Sequence, residues 1–163
     1  MSFKVDLSGL KIKLDKLEKA VDNAIDDKLA KDTANQVRKR TQLGYGVDEN
    51  GKQVKLEPLS IDYKETRKKN KTRLSGNSTP GKSNLTATGQ MLKGLTGRAK
   101  DNQIFIRITG SRTTDLTGYP SNLSNAEVAD FVEEQGRRFM DLTNAEKNQL
   151  IRTLRQKILK NMK

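Results

Sequence analysis

Gln103-Ile104-Phe105-Ile106-Arg107-Ile108-Thr109 is the clearest strand in the chain. Its three isoleucines fall on alternate residues with Phe105 and Arg107 between them, so one face is aliphatic and the other mixed. Helical patterns flank this strand on both sides. The chain is therefore expected to be α+β: a small antiparallel sheet packed against a long N-terminal helix and a C-terminal amphipathic helix, with long basic loops.

Upstream, Leu85-Thr-Ala-Thr-Gly-Gln-Met-Leu-Lys-Gly-Leu95 predicts, from Leu85, Met91, Leu92 and Leu95, a short helix that begins near Thr88 and is ended by Gly97 and Arg98. Ser75 to Asn84 is turn and loop chemistry with no apolar anchor. Between Lys52 and Lys82 nine basic residues stand against three acidic ones, and Leu59 to Lys69 inside that stretch is compatible with a short helix. The segment from about 52 to 84 is expected to be a mobile basic arm, with Lys64, Arg67, Lys68, Lys69, Lys71 and Arg73 free to meet a neighbouring subunit or DNA. Gly44, Gly46 and Asp48-Glu-Asn-Gly51 predict a turn or hairpin before it, because Asn-Gly favours a tight turn.

Further upstream, Leu10, Leu14, Leu17, Val21, Ile25 and Leu29 recur at three- and four-residue spacing with no Pro or Gly between Leu10 and Arg40. One continuous helix of roughly 45 Å follows, with Ser8 as its N-cap. So narrow a stripe needs a cover, either the chain's own sheet or a second chain in a coiled coil; the heptads fade after Leu29, which favours the sheet.

Downstream of the strand, Gly110 to Leu123 is a Gly-, Ser- and Thr-rich connection. Ser124 with Glu127, and Thr143 with Glu146, are capping-box patterns that open two helices. Between them lies the elbow Gly136-Arg137-Arg138-Phe139, and beyond it Leu150, Ile151, Leu154, Ile158 and Leu159 form an amphipathic stripe. The elbow has two readings. In one, Phe139 is a core aromatic and the arginines are merely exposed; in the other, a packed Phe139 fixes the backbone so that Arg137 and Arg138 face an acidic or aromatic partner.

At 163 residues the chain is the size of one domain, and with 33% apolar residues and no Trp its core is small. A formal charge of +12 gives a positive field and points to anionic partners. The absence of Cys and His excludes disulfides, thiolate and imidazole chemistry and most zinc or haem sites. Asp26 and Asp27, like Glu133 and Glu134, are adjacent on helices and diverge by about 100°, so they read as solvated faces rather than acid–base pairs. Gly81-Lys82-Ser83 lacks both the upstream glycine and the strand of a phosphate loop. No catalytic, metal or cofactor site is expected. No stretch approaches the roughly 20 apolar residues of a membrane span, and the first seven residues lack a signal peptide's apolar core, so a cytoplasmic protein is expected. An alternative function is non-specific nucleic-acid binding through the basic arm, although Tyr63 is the only aromatic that the arm offers for stacking.

The order of a long N-terminal helix, Pro58-Leu59-Ser60 with Tyr63, Leu85 to Leu92, an isoleucine-rich strand, and Glu134 to Thr143 before a last helix resembles the tail-completion, or virion morphogenesis, proteins of tailed phages (Mu G and lambda Z type). Two motifs carry the likeness: T-G-x-[ML]-x-x-x-[LI] at Thr88 to Leu95, and R-x-F-x-x-L-T at Arg137, Phe139, Leu142 and Thr143. The family more often has proline at the elbow position held here by Arg138. The resemblance implies a structural, non-enzymatic virion protein that forms a homo-oligomeric ring at the head-proximal end of the tail. Its implied partners are tail-tube, terminator and connector proteins, with non-specific DNA contact in the channel and no membrane. Arg137, Arg138, Phe139 and Leu142 would then form a partner interface.

Overall fold

A computed structural model of the chain describes residues 8–76, 78–113, 115–117 and 122–163. It is an α+β protein with two separate two-stranded antiparallel sheets, where one sheet was expected.

The N-terminal helical region is divided. Helix α1 spans Ser8–Ala24 and α2 spans Asp27–Gln42. The break falls at Asp26, whose extended backbone (φ −115°, ψ 166°) lets its carboxylate accept from the Leu29 N–H at 2.8 Å, an N-cap that restarts the helix. Asp26 also accepts from Lys157 Nζ at 2.5 Å, so it is a cap and an ion-pair partner rather than a solvated face.

Strands β1 (Tyr45–Val47) and β2 (Gln53–Lys55) form the hairpin expected around Asp48–Gly51, with Gly46 opposite Val54. Helix α3 covers Ile61–Lys69, capped by the Ser60 side chain, and a 3₁₀ turn follows at Lys71–Arg73. The predicted helix near Thr88 is shorter than expected: α4 is Gln90–Lys93 only. Leu95–Lys100 is instead strand β3, paired with β4 (Gln103–Ile108) from Leu95 opposite Ile108 to Lys100 opposite Gln103. Asp101 and Asn102 join them, both with positive φ (49° and 58°), as a two-residue hairpin turn requires.

Helix α5 (Asn125–Glu134) and helix α6 (Asn144–Asn161) both open with the predicted capping boxes, Ser124 with Glu127 and Thr143 with Glu146. Part of the connection expected at 110–123 lies outside the described residues, as do the first seven residues.

Helix α2 lies across the β3–β4 hairpin at Gly97, where a Cβ would strike the Ala30 carbonyl. Ala34, Val37, Leu92, Leu95, Ile108, Ala129 and Phe139 form one buried cluster that ties α2, α4, both strands, α5 and the elbow together. At a second position, Gly46, a Cβ would strike the Arg138 carbonyl. The first hairpin therefore sits directly against the elbow.

Helix α6 contributes no fully buried residue. It runs beside α1, where Lys157 and Asn161 reach the Ala24 and Ala20 carbonyls (3.4 and 3.3 Å). The outer apolar positions of this pair, Ile12, Leu14 and Leu17 on α1 with Ile151 and Leu159 on α6, are exposed.

Candidate functional site

Phe139 is the fixed point of the elbow. It is completely buried, and its backbone is held from three directions. The Phe139 and Met140 N–H groups donate to Glu133 Oε1 at 2.7 and 2.9 Å, so Glu133 anchors the elbow instead of facing solvent. The Arg138 carbonyl accepts from the Val47 N–H at 2.9 Å. Arg40, from α2, donates to the carbonyls of Phe139 (2.5 Å) and Asp141 (2.8 Å) and pairs with Glu146. Burial pushes the Arg40 guanidinium below its ordinary pKa, and Glu146 opposes that shift. Glu146 at the same time accepts from the Thr143 N–H, so one carboxylate serves both the cap of α6 and the buried cation. In the sequence Arg40 marks only the end of the uninterrupted helical stretch.

The four expected interface residues part ways. Leu142 packs against the core cluster beside Phe139. Arg138 turns to its neighbour Asp141 at 2.6 Å, an exposed i,i+3 pair of small energetic consequence. Arg137 points the other way, and donates to the Glu57 and Pro58 carbonyls at 3.4 and 3.2 Å.

The basic arm also divides. Lys68, Lys69, Lys71 and Arg73 are exposed, Lys68 pairs with Glu65, and Lys64 is half-buried. Arg67, expected on the surface, is 1% exposed. The reason is local. The 75–84 loop has no apolar anchor of its own, and Arg67 supplies a polar one: its guanidinium donates to the Lys82 carbonyl at 2.9 Å and to Ser78 Oγ. Asn84, also buried, donates to the Gln42 carbonyl. The Arg67 guanidinium lies 5.8 Å from the centroid of the Tyr63 ring, within cation–π range. Burial pushes its pKa down, with only Tyr63 opposing.

Arg67 and Arg137 meet at one cavity of about 400 Å³ between α3 and α5. Leu85, Met91, Val128 and Val132 supply apolar wall, and Phe131, 60% exposed, stands at it. Arg112 is the third arginine that lines the cavity, and nothing in the local sequence pattern marks it. The described lining residues include no Asp or Glu. A cavity of this size, with apolar walls and a few cationic donors, is fit to bind an anionic group attached to an apolar one.

Among the described residues no group of three or more metal-ligating side chains comes together, and no helix is long and apolar enough to cross a membrane. Compared with protein-family models, curated proteins and solved structures, the chain matches none.

Proposed function

We propose that this chain is a structural subunit of a tailed-phage virion, acting in tail completion or head–tail joining as part of a ring at the head-proximal end of the tail. The observation that carries this proposal is that the two segments bearing the resemblance fold onto each other. Met91, Leu92 and Leu95 of one pack with Phe139 of the other in a single buried cluster, although they lie more than 40 residues apart.

The uncovered apolar residues support the same function. Ile12 and Leu14 on α1, Ile151 and Leu159 on α6, and Phe131 on α5 are between 48% and 68% exposed, a pattern that suits a subunit whose neighbours cover it. Arg67 is withdrawn from the basic arm, which weakens the alternative of a nucleic-acid-binding protein working through that arm. The exposed Lys69, Lys71 and Arg73, with Lys68 paired to Glu65 beside them, remain available to touch DNA in a channel.

Electron microscopy of particles made without this chain tests the proposal. Tailless heads beside unjoined tails are expected, and intact particles would contradict it. The elbow's part is tested by Arg137→Ala with Arg138→Ala. The purified double variant should keep the fold, because neither side chain enters the core, and should fail to support particle assembly; normal assembly would remove the elbow from the interface.

A further inference from the structure

We propose that the cavity between α3 and α5 is a docking site for a segment of another protein that carries a large apolar side chain beside a carboxylate. This goes beyond the virion proposal, since it concerns what the cavity recognises in whatever assembly the chain serves.

Charge complementarity sets the polar half of the ligand. Arg67, Arg112 and Arg137 line the cavity, and no described lining residue is acidic. Arg112 and Arg137 are half-buried and within a ligand's reach, whereas Arg67 adds its charge from within the wall. It is a guanidinium 1% exposed whose acceptors are a carbonyl and a hydroxyl, both neutral, and whose Nε has no acceptor. Arg112 Nε is likewise buried without an acceptor. A buried cation without a carboxylate is costly to a fold, and a planar guanidinium matches a carboxylate in both geometry and charge.

The walls set the apolar half. Leu85, Met91, Val128 and Val132 offer nothing to a bare anion, and Phe131 leaves an aromatic face for a side chain to cover. A second copy of this chain is the poorer occupant, because at +12 it brings like charge to an arginine-lined site.

The test is a titration of the ¹⁵N-labelled full chain, followed at the backbone resonances of Tyr63, Val128 and Phe131. The probe is an N-acetylated, C-amidated hexapeptide with a central Phe-Glu pair, set against the same peptide with Phe-Gln. The Phe-Glu peptide should shift these resonances, and the Phe-Gln peptide should bind at least about tenfold more weakly, the scale of a lost charged hydrogen bond. Arg112→Gln should weaken the Phe-Glu peptide by a similar factor, whereas Lys100→Gln on β3 should not. Arg67→Gln disturbs the 75–84 loop, so Arg112→Gln, which breaks no hydrogen bond described above, is the deciding variant. Equal binding of the two peptides, no shift at the cavity, or an unaltered Arg112→Gln chain would each overturn the proposal. So would 3-phenylpropionate binding as tightly as the peptide, because the site would then take a free small acid.

Discussion

Arg40 and Arg67 are both buried guanidiniums, 5% and 1% exposed, and they occupy opposite situations. Arg40 sits between α2 and the elbow with Glu146 as counter-charge and two backbone carbonyls as further acceptors. Arg67 sits between α3 and the 75–84 loop with a carbonyl, a hydroxyl and an aromatic ring, and no carboxylate. In both the Nε lacks an acceptor; Arg40 makes three hydrogen bonds and Arg67 two, and the larger difference is the counter-charge that Arg40 has and Arg67 lacks. The first arrangement is closed: it joins helix, elbow and cap into one unit. The second has no counter-charge among its described partners and lies in the wall of the cavity.

Stability measurements can break this comparison. Arg40→Met leaves Glu146 and two carbonyls without their partner and should cost about 3 to 5 kcal/mol in urea unfolding. Phe139→Ala should cost a similar amount, ~3 to 5 kcal/mol, because the ring is wholly buried. Arg67→Met loses two hydrogen bonds to neutral acceptors but also removes a desolvated cation, so roughly 1 to 2 kcal/mol is expected. An Arg67→Met cost equal to that of Arg40→Met would erase the distinction.

A smaller effect belongs to the ion pair between Asp26, the cap of α2, and Lys157 of α6. The hydrogen bond from Lys157, followed by that from the Leu29 N–H, holds the Asp26 carboxyl below its ordinary pKa. A carboxylate lowered in this way stabilises the fold at neutral pH. That contribution falls away as pH drops from the unfolded-state value near ~3.9 through the lower folded one. Wild type should therefore lose more stability than Asp26→Asn between pH 5 and the acid range, measured by thermal unfolding at each pH. Parallel curves would show that the pair does not contribute.

Much of the frame could be read from local chemistry. Both capping boxes, the isoleucine strand, the turn at Asp48–Gly51 and the burial of Phe139 follow from residue types at short spacing. The misses arose where tertiary contacts override such patterns. The apolar stripe runs through Val21, Ile25 and Leu29 as if the helix were unbroken, and only the cap made by Asp26, joined by Lys157 from α6, interrupts it. Leu95–Lys100 alternates Leu95, Gly97 and Ala99 with Thr96, Arg98 and Lys100, but its inner face is weak as a strand signal because glycine is needed where α2 crosses and alanine follows; Asp101-Asn102 was a turn signal available in the sequence. Of the candidate site, Arg137 and Arg67 were named for the right charge, but their meeting at one cavity was not legible. A charged residue in a basic run reads as solvated until the fold shows what closes over it, and Arg112 carries no local signal at all.

The contrast between the two arginines is tested most directly by a pair of double-mutant cycles in urea unfolding. One couples Arg40→Met with Glu146→Gln, the other Arg67→Met with Ser78→Ala. A coupling of about 1 to 3 kcal/mol is predicted for the first and under ~0.5 kcal/mol for the second. Couplings of equal size, or a larger one at Arg67, would contradict the contrast between Arg40, held by a counter-charge, and Arg67, buried in the cavity wall without one.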